Sequence, residues 1–564
     1  MSLKSSFRLP ASGMALMGAL AAVALTSSAA FAQTSSIITT TAQVPTAPSE
    51  AVRRLSVDEA VKLALEQNLG IQIERINPQI QDVAVAQARS LWAPQLSSNF
   101  NNNSTSNPPT NALAGGVTKV TDSTLSSSVG LAQVLPTGAS YAFGWNSARA
   151  STTNIFSSFD PLLRSNVFLN VSQPLLRDFK IDNIRQQLEL SKKSRESADV
   201  QLRSTIVQTT RNVKNAYWDL AYQVNNLAAQ RQSLQLAQRL LRDNERRVQI
   251  GTMAPIDIVE AQSEVARNDE SVIVAEAAIK SAEDRLRALI YDPATPNFWS
   301  ISIEPADTAP FRAQAVDVDA TIRNALDKRT DLQQAKNSLA QSDVSIRYFR
   351  NQILPDVNAV ANYSTSAVGG VSVQTIDATT GRPLTSFPTG PVDRLILSQR
   401  GFGSVLGDVV TSAFPTWTVG IQIGYPLGTS TQQTNLARAK LQYAQAQTQL
   451  KNLELQIVTQ VREAARTVQT NQKRVESARA ARELAEKRLD AEEKKFAAGI
   501  QTTFFVFQAQ RDLAQARTNE VRVISDYNKS QVDLEAVQDV GGGGGGLTSA
   551  GSGSIQTGNA ILRQ

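Results

Sequence analysis

The 564-residue sequence predicts a mainly α-helical protein with a smaller β membrane domain, its two halves related by an internal duplication. Three observations predict it. Residues 184–250 and 429–498 contain neither glycine nor proline, so nothing in either stretch ends a helix, and at ~1.5 Å per residue each reaches about 100 Å. Between the helical blocks the apolar period falls to two: Val167, Leu169 and Val171 alternate with Phe168, Asn170 and Ser172, and Trp417, Val419, Ile421 and Ile423 with Thr418, Gly420, Gln422 and Gly424. The chain also aligns with itself. Leu55–Lys62 matches Val316–Arg323, Arg89 and Pro94 match Arg350 and Pro355, and Glu245, Gly251, Ala261 and Gln262 match Glu493, Gly499, Ala509 and Gln510.

In chain order, Lys4 and Arg8, the apolar run Met14–Leu25 and Ala30-Phe31-Ala32 read as a signal peptide over 1–32. Residues 33–54 are Thr-, Ser-, Ala- and Pro-rich and read as a flexible segment. The first repeat follows at 55–293, a linker at 294–315, the second repeat at 316–540, and a Gly/Ser-rich flexible tail at 541–564. Within each repeat the order is helix, strands, long helix and shorter helix, the last at 256–292 and 500–540. The long helices carry small apolar stripes, such as Leu234, Leu241 and Val248, on a Gln-, Arg- and Glu-rich surface, so they pack along seams and leave much of their circumference wet. Strands are expected after Pro94 and Pro355 and up to Pro174 and Pro426, four per chain, the prolines marking the strand–helix joints. A further hairpin, Ser127–Leu135 and Ala139–Ser147 around Pro136-Thr137-Gly138, places Tyr141, Phe143 and Trp145 on one face, but nothing local says where it pairs. The Gly- and Pro-containing stretch from Ser364 to Pro415 reads as a long loop facing outward.

Composition narrows the function. There is no cysteine and no histidine, which removes disulfides, thiolate nucleophiles, imidazole bases and the usual zinc ligands, and with them the acceptor for an N-terminal lipid. The formal charge is +6, falling to +4 once Lys4 and Arg8 leave with the signal, too balanced for a nucleic-acid footprint. The acidic pairs Glu283-Asp284 and Glu492-Glu493 lie among Arg and Lys and read as solvated ion pairs, not catalytic carboxylates. No enzyme, cofactor or metal site is implied. An exported chain without a lipid anchor or an apolar helix of about 20 residues spans a membrane only as a closed barrel. Four strands cannot close, since barrels begin at about eight; three chains pooling four each would make twelve.

The segment Arg247-Val248-Gln249-Ile250-Gly251-Thr252-Met253-Ala254-Pro255-Ile256-Asp257-Ile258-Val259-Glu260-Ala261-Gln262 resembles the first helical tip of TolC-like outer-membrane efflux proteins. The duplicated halves, Gln173-Pro174-Leu175-Leu176 and Arg89-Ser90-Leu91-Trp92 are similar to that family too, over residues 55–540. The resemblance implies a homotrimer in the outer membrane. Its twelve-stranded barrel would continue as a periplasmic α-barrel, a conduit that docks a periplasmic adaptor and an inner-membrane pump. It also implies that the Gly251-Thr252-Met253 and Gly499-Ile500-Gln501 turns meet the adaptor, Gly being equally the residue a reversing helix needs. Asp257 and Glu260 keep the acidic character of the family's entrance, whereas Phe505 and Gln508 stand where further acidic gate residues are expected. A hydrophobic constriction from Phe504, Phe505 or Phe507 is the alternative gate, and helix packing the plainer role. The rival reading of the whole chain is an exported periplasmic coiled-coil adaptor, which would embed one helical hairpin in β domains and not repeat the cycle twice.

Overall fold

The computed structural model describes residues 51–540 apart from 109–117, 295–297, 308–310, 312, 314, 385–389 and 429. The expected signal at 1–32 and tail at 541–564 lie outside the described residues. The first half runs β1 (Ala51–Leu55), α1 (Val57–Gln67), α2 (Leu69–Ser90), β2 (Gln95–Asn107), β3 (Val120–Val134), β4 (Ser140–Thr152), β5 (Phe159–Pro174), α3 (Asn183–Gln249) and α4 (Ile256–Ile290). The second runs β6 (Ile301–Pro305), α5 (Val318–Lys328), α6 (Thr330–Gln352), β7 (Asp356–Asp377), β8 (Val392–Arg400), α7 (Phe402–Val410), β9 (Pro415–Gly424), α8 (Thr431–Ala497) and α9 (Thr503–Asp539). The breaker-free stretches become α3 and α8, each 67 residues long.

The duplication is visible in how helices start. Ser56 Oγ accepts from Glu59 N at 3.3 Å while Glu59 Oε2 accepts from Ser56 N at 3.0 Å, a reciprocal capping box opening α1. At the matching place Asp317 accepts from the amides of Asp319 and Ala320, both at 3.1 Å, to open α5. Asp182 caps α3 by accepting from Arg185 N at 2.7 Å, and Ser430 caps α8 by accepting from Gln433 N at 3.3 Å.

Near the sheet the helices pack in the order α2, α3, α6, α8; further from it the order is α4, α3, α9, α8. Two equivalent cores set the spacing. One joins Leu55, Tyr217, Leu220, Leu286, Ile290 and Ile303; its counterpart joins Leu332, Ile457, Val461, Val468, Val523 and Tyr527. Tyr217 is fully buried and its hydroxyl lies 3.1 Å from Leu55 O and 3.0 Å from Asp307 Oδ2. β1 and β6 pair in parallel between residues 250 apart in sequence, a small sheet where the sequence suggested a flexible segment and a linker. No helix among the described residues is long and apolar enough to cross a membrane.

The four expected strands are β2, β5, β7 and β9, and all are present, but the count of four is too low: among the described residues the main sheet has seven strands. The hairpin β3–β4 inserts between β2 and β5 in one antiparallel meander, and β9 pairs the first part of β7 while β8 pairs its last part. The expected outward loop from Ser364 is also corrected. Its first residues continue β7 to Asp377, and β8 and α7 occupy much of the remainder. Gly369 makes this possible, since a Cβ there would meet Val405 Cγ2 at 2.4 Å, and α7 therefore seats Val405 and Val409 on Ala367, Leu163 and Val167.

Candidate functional site

Three features converge on one kind of function: the two faces of the sheet, the joint where strands become helices, and the far helical tips.

Register assigns every strand residue to a face. One row reads Leu96, Leu131, Phe143, Leu169, Tyr363 and Trp417 across six strands. The next pleat reads Ser97, Gly130, Gly144, Phe168, Ser364 and Thr416. The first face is apolar and aromatic, with Trp417, Val419, Ile421 and Ile423 all exposed on β9. The second carries Asn99, Ser128, Asn146, Asn166 and Ser366 in a single row. A sheet that is apolar on one side and amide- and hydroxyl-lined on the other matches lipid outside and water inside. Trp145 completes the apolar side without an orphan donor, because its Nε1 donates to Ser165 Oγ at 2.8 Å.

At the joint, β5 ends on Pro174, and β2 and β7 begin one residue after Pro94 and Pro355; β9 ends at Gly424, two residues before Pro426. The chain then turns through Asp178, whose φ of 63° is a left-handed conformation. Asp178 N donates to Asn351 Oδ1 at 2.8 Å, Gln352 donates to its carboxylate, and Arg185 Nη2 donates to its carbonyl at 2.6 Å. Arg177 Nε donates to Gln352 Oε1 at 2.9 Å. Burial pushes the Asp178 carboxyl above its ordinary value against the opposing hydrogen bond from Gln352 and charge of Arg177. The β3–β4 turn docks here: a Cβ on Gly138 would lie 2.9 Å from both Asp178 O and Arg185 Nη2. Sequence reasoning named the joint prolines but not Asp178, Arg185, Asn351 or Gln352, partners separated by up to 174 residues.

The tips are a matched pair of glycine-ended helices. Thr252 N donates to Arg247 O at 2.8 Å and Gly251 N to Val248 O at 2.9 Å; Ile500 N donates to Lys495 O and Gly499 N to Phe496 O, both at 3.0 Å. Both turns are the two-bond glycine cap that reverses a helix, with Gly251 at φ 80° and Gly499 at φ 75°. Ile250 and Ile500 project outward, exposed. Met253 packs on the tip core of Leu240, Ala261, Leu489, Phe496, Val506 and Phe507. Gln501 is half-buried.

The candidate gate residues separate. Asp257 joins the two tips, accepting from the buried Thr503 Oγ1 at 3.2 Å. Glu260 and Gln508 are exposed, as is Phe505, which meets Phe504 edge to face at 5.6 Å. Phe507 is buried in the tip core, so of the three phenylalanines considered for a constriction it is a packing residue. Arg247, beside the turn, lies 4.3 Å over the Phe496 ring. The acidic pairs read as solvated are partly not so. Glu283 is buried, accepting from Ser302 Oγ at 3.0 Å beside the equally buried Arg287, and burial raises the Glu493 carboxyl above its ordinary value.

A lipid-facing sheet continued by two tiers of long helices defines a membrane conduit. The profile of the outer membrane efflux protein family matches residues 129–290 and 321–538, and the chain belongs to that family, an outer-membrane efflux channel. Among solved structures it is similar to the CmeC outer membrane channel of Campylobacter jejuni, with 14% identity, a TM-score of 0.58 and coverage of 86% of this chain and 85% of that one. It is similar to VceC of Vibrio cholerae at 15% identity and TM-score 0.58, covering 86% and 96%. It is also similar to the open state of the Neisseria gonorrhoeae MtrE outer membrane channel at 15% identity and TM-score 0.57, covering 86% and 89%. No curated protein matches it by sequence.

Proposed function

We propose that three copies of this chain assemble into one duct that docks, through its tips, a periplasmic adaptor served by an inner-membrane pump. The observation that carries the reading is a pair of complementary open edges. β2 pairs only β3 and β9 only β7 among the described residues, so each leaves one row of backbone groups unpaired. The six-strand meander runs alternately up and down, so β9 of one copy meets β2 of the next antiparallel. The helices beside these strands are open on the same two sides: α2 leads into β2, and α8 follows β9. α2 exposes Leu69, Ile73, Ile76, Ile80 and Val83 at alternating spacings of four and three, a heptad seam that fits another helix. A head-to-tail contact of this kind closes into a ring when its rotation is a whole fraction of a turn, and a third of a turn is the closure proposed here.

In this reading the duct is passive and performs no chemistry; the partners supply energy. The Gly251 and Gly499 turns are the docking surface, and the Asp257–Thr503 contact between tips is broken when the entrance opens. Residues 1–32 act as the export signal. A soluble coiled-coil adaptor is disfavoured by the apolar face, a patch too extended to leave in water. The test is outer-membrane fractionation with the mass of the extracted protein by light scattering. Three chains in the outer-membrane fraction support the assembly; a soluble monomer contradicts it.

A further inference from the structure

We infer that the membrane barrel of this protein has eighteen strands, six from each of three copies, and that the β3–β4 hairpin is the element that widens it. The inference rests on the trimeric reading above. At the level where β9 pairs β7, six strands of one copy lie side by side in the order β2, β3, β4, β5, β7, β9. β8 does not add to that level, because it pairs β7 residues 370–377 while β9 pairs residues 356–365.

The hairpin is built into the wall. Its register is continuous from Gln95↔Ala132 to Asn107↔Val120 on one side and from Ser140↔Ser172 to Ala150↔Leu162 on the other. It reaches from the strand–helix joint, where Gly138 sits against Asp178 and Gln133 Nε2 donates to Trp92 O at 2.8 Å, to the opposite end of the sheet. Its faces obey the sheet's division: Val129, Leu131, Phe143 and Trp145 extend the apolar side, Ser128 and Asn146 the polar side. A plug folded into the lumen or a surface appendage would not extend both faces in phase. Six is even, so the up-and-down alternation survives closure between copies. With strands ~4.8 Å apart and tilted about 40°, twelve would give a backbone radius of about 12 Å and eighteen about 18 Å, the width of strand counts that leave an open aqueous channel. The constriction of the duct then lies in the helical tips, and the membrane pore is sized for bulkier hydrated cargo than a twelve-stranded barrel passes.

The chain contains no cysteine, so the test uses single substitutions of the full-length protein in proteoliposomes, with electron cryomicroscopy of the same assembly. Ser128→Cys and Asn146→Cys are expected to react with a charged, membrane-impermeant maleimide, and Val129→Cys and Phe143→Cys to lose that reaction until the protein is denatured. The map is expected to show eighteen strands in a trimer. Equal reaction at all four positions, a trimer with a twelve-stranded wall, or a dimer of twelve overturns the inference. The second of these leaves the trimeric conduit standing, whereas protein that never enters the membrane overturns the reading beneath it.

Discussion

Replacing Gly251 and Gly499 together by tryptophan separates folding from docking at the tips. Both residues hold positive φ, 80° and 75°, where a side chain strains the backbone by about 1–2 kcal/mol per position. A Cβ at either site meets nothing within 4 Å, so no clash adds to the strain. The total, about 2–4 kcal/mol, is a fraction of the ~5–15 kcal/mol that holds an ordinary domain folded, and the two helix pairs behind the tips are packed along their length. The double variant is therefore expected to reach the outer membrane in the same assembly state and with the same mobility as wild type, while export in cells that supply the proposed pump partner falls to the level of a deletion strain. The matching alanine pair carries the same strain without the bulk and retains most export. Wild-type export by the tryptophan pair would refute docking at these turns. Failure of the alanine pair to assemble would refute the estimate of strain.

Other outcomes follow from single contacts. Gly144→Val places carbon against the Phe168 ring, which a Cβ would approach to 2.6 Å; the yield of folded protein in the membrane fraction should drop and recover with Phe168→Ala in the same chain. Tyr217→Phe removes the hydroxyl bonded near Leu55 and Asp307 and lowers stability at neutral pH by about 1–3 kcal/mol, read as an earlier thermal loss of the extracted protein. Burial raises the Tyr217 phenol above its ordinary 10.0, so its contribution is complete below that value and lost as pH rises past it; the gap between wild type and Tyr217→Phe should narrow above pH 10.0 and be constant below. By contrast, Asp533→Asn breaks the 2.6 Å Arg211 pair that ties α3 to α9, but both partners are partly exposed. The change should stay below about 1 kcal/mol and vanish in high salt.

What the sequence revealed follows the range of the interactions involved. The 67-residue helices α3 and α8 are set by local absence of breakers and by caps within three residues, Asp182 to Arg185 and Ser430 to Gln433. The tip turns were legible because a glycine at a helix end has one common backbone use. The hairpin was legible as strands, since Tyr141, Phe143 and Trp145 alternate, but not its place, which depends on pairing Tyr141 with Val171. β1 with β6, and Asp178 with Asn351, join residues far apart whose own neighbourhoods carry no signal. The burial of Phe507 was partly readable: Val506, Phe507 and Leu513 fall on one side of α9, Phe504 and Phe505 on the other, and only packing against Leu240 and Leu489 decides which side is inside.

If this chain forms a water-filled duct through the outer membrane, ions must pass through the isolated protein. Single-channel recording of the detergent-extracted assembly in planar bilayers puts this to the test. Discrete conductance steps are expected, enlarged when the Asp257–Thr503 tip contact is removed by Thr503→Val. An assembly that inserts yet passes no current, with or without that substitution, would contradict it.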